Sequence, residues 1–275
     1  MWVSKKEIET LSEIVKGYVS GEEVDIRDNK EGAFSILKDD IYGLVAYQQE
    51  QLKNIKKQRD ILAEYMSDIS HQLKTPITSM SIMADLLENA DSEKQSEFIS
   101  NIKLMLGKMN WLVKNLLNMA KIDAGTVLFS KKKVSVSSLI QDVLPSVCIL
   151  LDINEQKIEV LNDINVFCDK RWTVEALTNI VKNAIENSPK KSKIEIDSGE
   201  NAIYSWISIR DYGVGIDKSN YVAMFQRFQY STNDSGFGIG MPLALSIMNG
   251  QGGDIDIEIP SDGKGSLFVL KFYKW

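Results

Sequence analysis

The sequence is poor in the residues from which several common sites are built. Among its 275 residues are a single histidine, His71, and only two cysteines. Cys148 and Cys168 both lie in apolar stretches, so we expect small core residues rather than a disulfide or a metal-binding pair. A reducing compartment is the simpler interpretation of this cysteine usage.

Long apolar runs and basic clusters are also scarce. We find no window that approaches the ~18 apolar residues needed to span a bilayer, and no basic-then-apolar leader, so we expect neither a membrane span nor a signal peptide. The net charge of −6 argues against a nucleic-acid surface. Residues 131–133 are the only run of three basic residues, and we expect them to form a solvated linker. With 44% hydrophobic and 25% charged residues, the chain is expected to be globular and to hold two domains and a connecting segment.

His71 lies in a helical pattern. The spacing of the apolar residues around it, in alternating steps of four and three, is typical of one side of a bundled helix. These residues are Leu62, Met66, Ile69, Leu73, Pro76, Met80, Met83 and Leu87. The spacing points His71 away from that packed side, together with Thr75 and Thr78. Pro76 lacks an N–H group and predicts a bend just beyond the imidazole. A lone helical histidine is usually only a solvated residue, so the surrounding motif must decide its role.

The stretch from Ser70 to Pro76 resembles the phosphoacceptor box of sensor histidine kinases, whose usual form is His, an acid, Leu or Ile, a base, Thr, Pro. Five of these six positions agree, and the exception is Gln72, where the family usually has Glu or Asp. The resemblance implies that His71 accepts a phosphoryl group. It also implies that Gln72 orients the imidazole and that Thr75 orients a water for dephosphorylation of a partner.

A second helix is predicted after the capping residues 91–93, ending near 123–125. Its apolar positions are Ile102, Met105, Met109, Leu112, Leu116 and Met119. Two antiparallel helices this apolar cannot bury both sides alone, so we expect a homodimer that forms a four-helix bundle. The alternative, a monomeric hairpin resting on the C-terminal domain, would leave much apolar surface exposed.

Residues 1–54 are predicted to hold two helical segments around a connector at 22–34, the second segment running without a break into the His71 helix. This arrangement resembles the HAMP-type signalling module, and a plain coiled-coil linker is an equal alternative. If the module is HAMP-like, the chain is the cytoplasmic portion of a bacterial membrane sensor, and it meets the membrane only through segments absent from it.

From about residue 134 the pattern changes to alternating short strands and helices, which is typical of an α+β domain. Helices are predicted at 138–151, 173–187 and 242–248, and strands at 157–161, 165–168, 193–197, 203–210, 254–259 and 266–272. The predicted fold class is therefore multidomain: a dimeric helical hairpin at 55–126 is followed at 127–275 by an α+β domain.

Three motifs in this domain suit a nucleotide. Asn179 and Asn183 place two carboxamides on one face of a helix, and a carboxamide oxygen is a hard ligand suited to Mg²⁺. Asp211 ends a strand, where the following Gly213 and Gly215 let the backbone approach a flat ligand and the carboxylate can accept a hydrogen bond from an exocyclic amine. The glycines at 236, 238 and 240 precede a helix, which suits phosphates held by backbone N–H groups.

In this order the motifs resemble the N, G1 and G2 boxes of the ATP-binding fold shared by histidine kinases, gyrase, Hsp90-type chaperones and MutL-type repair proteins. That resemblance implies an α/β-sandwich ATP-binding domain of the GHKL type. Residues 225–228 resemble the kinase F box, within an ATP lid at roughly 217–235. A Rossmann site is disfavoured because the glycine run comes late and no ribose-binding acid follows at the expected distance.

The resemblance implies Asn183 as the Mg²⁺ ligand, Asn179 at the phosphates and Asp211 at the adenine amine. The implied ATP-binding set is Asn179, Asn183, Asp211, Gly213, Gly215, Phe225, Arg227, Gly236, Gly238 and Gly240. Two positions depart from the family: Glu186 and Asn187 stand where Lys or Arg and often an aromatic residue are usual. A basic phosphate contact is therefore missing, for which Arg227 or Lys182 would compensate.

The combined motifs predict a dimeric sensor histidine kinase. It would transfer the γ-phosphoryl group of Mg-ATP to His71 and then to an aspartate in the receiver domain of a response regulator, which would dock on the face formed by His71, Thr75, Thr78, Ile82 and Asp85. Two alternatives stay open. One is an ATP-gated dimer clamp with Glu186 as general base, and the other is a degenerate kinase that serves as a regulator-binding scaffold.

Overall fold

The computed structural model describes residues 5–20, 33–88, 90–228, 238–260 and 262–274. The chain divides into two compact units, residues 1–70 and 71–275. Helix α1 spans Lys5–Ser20 and helix α2 spans Ala33–Leu87. The predicted connector at 22–34 lies outside the described residues as far as residue 32. The domain boundaries predicted at 54/55 and 126/127 stay predictions.

Helix α2 continues through Pro76, whose missing N–H leaves the carbonyl of Gln72 without its helical donor. Helix α3 spans Ser92–Asp123. Its first turn is capped by Asp91, whose side chain accepts a hydrogen bond from the backbone N–H of Lys94 at 2.9 Å. Across the turn, the side-chain amide of Gln95 donates to the carbonyl of Leu87 at 3.2 Å. The predicted hairpin is therefore present, with a side-chain hydrogen bond across its tip.

Two layers form the C-terminal domain. One is a five-stranded sheet in the order β2 (Lys157–Val160), β4 (Lys193–Glu200), β5 (Tyr204–Arg210), β7 (Leu267–Tyr273) and β6 (Gly253–Glu258). The other is made of α4 (Val136–Asn154), α5 (Lys170–Asn187) and α7 (Gly240–Gly250). Helix α5 packs on β4 and β5, α7 packs on β6 and β7, and α4 packs against α5. The predicted helices and strands are confirmed in type, and a short unpredicted helix, α6, spans Tyr221–Met224.

The order of the strands determines which chain segments meet. Strand β2 pairs with β4 in parallel, whereas β5 is antiparallel to both of its neighbours, β4 and β7. In the β5–β7 ladder Arg210 lies opposite Leu267, so the residue after β5 and the residue before β7 come together. Those residues are Asp211 and Ser266.

The basic run at 131–133 is not a linker throughout, and that expectation was wrong. Lys132 begins strand β1 (Lys132–Ser135), which pairs antiparallel with β3 (Asn165–Cys168). The side chains of Lys132 and Lys133 are exposed, so the composition signalled solvent contact but not the backbone pairing. The expectation for the cysteines was half wrong, because Cys168 is buried and Cys148 is exposed on the outer side of α4.

The expectation that no segment is apolar enough to span a membrane also needs correction. Helix α4, with 19 residues, is long and apolar enough by length and composition. One face of this helix lies in the core of the domain, through Val136, Leu139, Ile140, Val143, Val147 and Leu151. The apolar character of α4 is thus accounted for in part by its packing against α5.

Candidate active site

Helix α5 carries the two predicted carboxamides one turn apart. The Nδ2 group of Asn179 donates to the carbonyl of Glu175 at 2.9 Å, which fixes its amide plane and turns Oδ1 the other way. A Cβ atom on Gly240 would lie 2.9 Å from that Oδ1 atom. The start of α7 therefore approaches Asn179 as closely as a glycine allows. The Oδ1 atom of Asn183 accepts a hydrogen bond from Nδ2 of Asn187 at 3.0 Å, and a carbonyl oxygen can accept a second one.

Asp211 is held by the backbone on both sides of it. Its N–H donates to the carbonyl of Ser266 at 3.0 Å. Its Oδ1 atom accepts from the N–H groups of Gly213 at 2.9 Å and of Ser266 at 3.2 Å. Both backbone donors thus bond to the same oxygen, and the second oxygen, Oδ2, receives neither of them, although Asp211 is only 2% exposed. Burial raises the pKa of the Asp211 carboxyl group, and this change is partly opposed by hydrogen bonds from the backbone of Gly213 and from the backbone and hydroxyl of Ser266, and by the charge of Arg210.

Glycines permit this close packing of backbone around Asp211. A Cβ atom on Gly213 would lie 2.2 Å from the carbonyl oxygen of Asn187, and one on Gly265 would lie 2.0 Å from the carbonyl oxygen of Asp211. Gly265 also has a left-handed φ of 71°, as Gly215 does at 78°. Sequence reasoning missed Gly265 and Ser266. Their only local signal is a glycine pair, with Gly263, directly before a strand, which reads as an ordinary turn.

Tyr212 anchors the loop that follows Asp211. Its N–H donates to the hydroxyl oxygen of Ser188 at 3.3 Å, and its own hydroxyl donates to Oε2 of Glu195 at 2.6 Å. The guanidinium of Arg210 lies 4.6 Å from the centre of the Tyr212 ring. Hydrogen bonds from Lys193 and Tyr212 lower the pKa of Glu195, so this acceptor is charged at neutral pH. The loop is thus tied to the end of α5 and to strand β4.

The glycine-rich segment ends at the N-terminus of α7. Ile239 is the N-cap residue, and no side chain of the described residues caps that end. Uncapped N–H groups and the helix dipole favour an anion at this position. Gly238 has a left-handed φ of 64°, and the prediction for Gly236 lies outside the described residues.

The residues of the predicted F box lie at the base of the predicted lid. Phe225 is half-buried against the core. The N–H of Phe228 donates to the carbonyl of Gly238 at 3.1 Å, so the two ends of the segment between them lie together. Arg227 forms an ion pair with Asp123 at the end of α3. The last part of the predicted lid, from residue 229 to 235, lies outside the described residues.

The hairpin residues form a separate group. His71 and Thr75 are exposed on α2, and Gln72 is half-buried. The Thr75 hydroxyl donates to the carbonyl of His71 at 3.5 Å. Among the described residues no hydrogen bond or ion pair joins His71 to the Asn179–Asp211 group. Glu186, the general base of the clamp alternative, is exposed and makes no described hydrogen bond or ion pair.

Comparison with known proteins agrees with this geometry. Residues 61–125 match the model of the His Kinase A (phospho-acceptor) domain, and residues 168–274 match that of the histidine kinase-, DNA gyrase B- and HSP90-like ATPase. Together the two matches account for more than half of the chain. The fold resembles that of the histidine kinase ThkA, crystallised in complex with the response regulator protein TrrA. The TM-score is 0.65 at 21% identity, and the likeness covers 98% of this chain and 83% of that chain.

Two curated relatives are similar in sequence. The heme sensor protein HssS of Staphylococcus saprophyticus is 24% identical over 252 residues, which cover 90% of this chain and 54% of that protein. Sporulation kinase C of Bacillus subtilis is 26% identical over 232 residues, which cover 80% of this chain and 51% of that protein. The chain thus spans about half the length of these relatives. With a phospho-acceptor hairpin followed by an ATPase domain, the chain belongs to the sensor histidine kinases of two-component systems.

Proposed function

We propose that the chain is an ATP-dependent protein-histidine kinase that phosphorylates its own His71. The observation that carries the proposal is the buried Asp211, whose two backbone donors both bond to Oδ1, so that Oδ2 can accept a hydrogen bond from a flat ligand beside the glycines. An adenine amine would donate a hydrogen bond to that oxygen. The phosphates would then extend toward Asn179 and the uncapped start of α7.

The carboxamides of Asn179 and Asn183 fit a magnesium ion. Each retains acceptor capacity on Oδ1, and Mg²⁺ prefers hard oxygen ligands. Both are neutral, so the phosphates of the nucleotide would balance most of the charge of the ion. Bound there, Mg²⁺ would neutralise charge on the transferred phosphoryl group, and Asn183 would be its protein ligand.

In the proposed reaction, His71 supplies the nucleophile. The lone pair of one imidazole nitrogen, most simply Nε2, forms the new P–N bond while the bond from the γ-phosphorus to the bridging oxygen breaks and ADP leaves. The exposure of His71 suits a phosphoryl group that must be reached first by the ATPase domain and later by a partner. The side-chain carbonyl of Gln72 would accept a hydrogen bond from Nδ1–H and so keep the Nε2 lone pair available.

The partner in this proposal is the receiver domain of a response regulator. Thr75, Thr78, Ile82 and Asp85 share the exposed side of α2 with His71 and would form the docking face. ThkA, which has a similar fold, was crystallised with such a regulator. Thr75 would also orient the water that removes the phosphoryl group from the regulator. We place the chain in the cytoplasmic portion of a membrane sensor, with no role in binding nucleic acid.

The hairpin is proposed to pair with a second copy of itself. Large apolar side chains outside the docking face stay exposed along it, namely Ile77, Leu86, Ile99, Leu104, Leu106, Val113 and Leu117. Leu112 and Met119, by contrast, are already buried within the chain, so they cannot test dimerisation cleanly. Replacing Leu106 and Leu117 with Glu should give a folded monomer by light scattering. An unmodified protein that is monomeric at micromolar concentration would contradict the dimer.

Incubation with γ-labelled ATP tests the central proposal. The expected product carries acid-labile, base-stable label on the protein, and His71→Ala abolishes that label. ATP hydrolysis without any label would favour the clamp, and binding of a regulator without either activity would favour the scaffold.

A further inference from the structure

Asn187 is the last residue of α5. It stands at the position where the histidine kinases that this chain resembles often have an aromatic residue. Its Nδ2 group carries two hydrogens, and both form hydrogen bonds with the same residue, Asn183. One donates to the backbone carbonyl of Asn183 at 2.8 Å and the other to the side-chain Oδ1 of Asn183 at 3.0 Å. The first bond fixes which side of the Asn187 amide carries the nitrogen. The second therefore fixes which side of the Asn183 amide carries the oxygen.

The orientation of Asn183 cannot be reversed while both bonds are present. If its amide turned over, its NH₂ group would face the NH₂ group of Asn187, and two donors cannot bond to each other. Without Asn187 the two amide orientations of Asn183 would differ little in energy, and one of them would present hydrogens to a cation. Oriented as observed, Oδ1 keeps one acceptor site for a ligand.

The same residue touches the adenine side of the proposed site. Its carbonyl oxygen lies 2.2 Å from the position that a Cβ atom of Gly213 would occupy. The next residue, Ser188, accepts the hydrogen bond from Tyr212. The end of α5 therefore sets the position of the Asp211 loop through its backbone and the orientation of Asn183 through one side chain.

We propose that Asn187 is a positioning residue that orients Asn183 toward a nucleotide-bound magnesium ion. This inference rests on the proposed ATP-dependent function and adds to it a residue that acts through Asn183 rather than on the ligand. Loss of the amide should affect the part of nucleotide affinity that depends on the metal. The part contributed by Asp211 should stay, because the backbone of residue 187 still meets Gly213.

The test measures binding of the non-hydrolysable ATP analogue AMP-PNP to the full chain by calorimetry, once with Mg²⁺ and once with EDTA. Asn187→Leu has a similar volume and no donor. It should reduce the ratio of the two affinities by about 3- to 10-fold, the value of one neutral hydrogen bond, and leave the affinity in EDTA unchanged. Asn187→Ala carries the same expectation without adding apolar surface. Asn187→His, whose Nδ1–H can replace the donor, should keep the ratio of the unmodified protein.

Asn154 provides a matched control. It is the last residue of α4, and its Nδ2 group donates to the carbonyl four residues earlier, at 2.9 Å, as Asn187 does on α5. Asn154→Leu thus removes the same helix-end hydrogen bond without a second asparagine, and should change neither affinity. The proposal is overturned if Asn187→Leu and Asn187→Ala keep the full metal dependence, or lower both affinities equally, or if Asn187→His behaves like them. An unmodified protein that binds no nucleotide would instead contradict the proposed function itself.

Discussion

Asp123 ends helix α3, and its carboxylate forms an ion pair with the guanidinium of Arg227, 104 positions later in the chain. The pair joins the end of the hairpin to the base of the predicted lid. Both side chains are partly exposed, at 44% and 22%, so its contribution should be modest, about 0.2–1 kcal/mol. Arg227 also makes a further contact, so the ion pair is not its sole interaction.

The first prediction reverses these two charges. Asp123→Arg and Arg227→Asp should each speed amide hydrogen exchange in residues 225–228 by roughly 2- to 5-fold, because like charges would then face each other. The double variant should restore slow exchange. Equal exchange in all four proteins would mean that the pair does not hold these segments together.

The second prediction concerns Asp211. Asp211→Asn keeps an oxygen that can accept from Gly213 and Ser266, so the fold should survive. The charge-assisted hydrogen bond to the adenine amine is lost, and nucleotide affinity should fall roughly 10- to 100-fold, as measured by calorimetry.

The same variant should be more stable than the unmodified protein without nucleotide. Because burial raises the pKa of folded Asp211, the folded state binds its proton more tightly than the unfolded state does. The stability contributed by this group is complete below its ordinary pKa of 3.8 and is lost as the pH rises through the folded pKa. Asparagine does not ionise, so the Asp211→Asn variant does not lose stability as the pH rises. A melting temperature at pH 7 below that of the unmodified protein would contradict the burial argument.

The third prediction uses two glycines of one loop. Gly263 and Gly265 both have left-handed φ angles, of 69° and 71°. A Cβ atom on Gly263 meets nothing within 4 Å, so Gly263→Ala should cost only the conformational penalty of about 1–2 kcal/mol. Gly265→Ala would add a clash with the carbonyl of Asp211. Gly265→Ala should therefore lower the free energy of unfolding, measured by urea denaturation, more than Gly263→Ala does, and it should also weaken nucleotide binding. Equal effects of the two variants on stability and binding would mean that Gly265 is not part of the site.

The fourth prediction concerns Gln72, which can hold the imidazole tautomer but cannot ionise. An acid at this position could stabilise the positive charge that develops on His71, and general-base assistance is typically worth ~10²–10⁴-fold. Gln72→Glu should therefore raise the autophosphorylation rate several-fold at saturating Mg-ATP with unchanged ATP affinity. Gln141→Glu, the same charge change on the exposed side of α4, should have no effect. Equal rates for Gln72→Glu and the unmodified protein would make Gln72 a neutral variation.

The fifth prediction concerns Asn115 on α3. Its side chain is fully buried, and neither of its polar atoms has a hydrogen-bond partner among the residues that the structure describes. Leu112 and Met119, one turn to either side, are buried as well, and α3 packs against α7. Asn115→Leu should raise the free energy of unfolding by about 1–3 kcal/mol, because an unpaired polar group is replaced by an apolar one. Asn110→Leu, at an exposed site on the same helix, should change it by less than ~0.5 kcal/mol. Loss of stability in Asn115→Leu would show that the amide is paired in solution.

Local patterns were enough to predict the hairpin and the order of the site motifs. The periodicity around His71 and the residues that cap α3 are properties of neighbouring positions, so a single sequence contains them. The same holds for the spacing of Asn179 and Asn183 on one helical face. The strand that β1 forms from lysines was not predictable in this way, because its stability comes from pairing with β3 rather than from its own composition.

The surroundings of each predicted residue were decided only by the tertiary structure. Asp211 meets Gly265 and Ser266, 54 and 55 positions later, because the antiparallel register of β5 and β7 brings those backbones together. Leu112 and Met119 have the spacing of a dimer surface, yet they are buried within the chain once α3 packs against α7. The sequence by itself determined which residues carry carboxylate, carboxamide and imidazole groups. Strand register and helix packing act between positions far apart in the chain, and they determined which of those groups are paired and which remain open to a ligand.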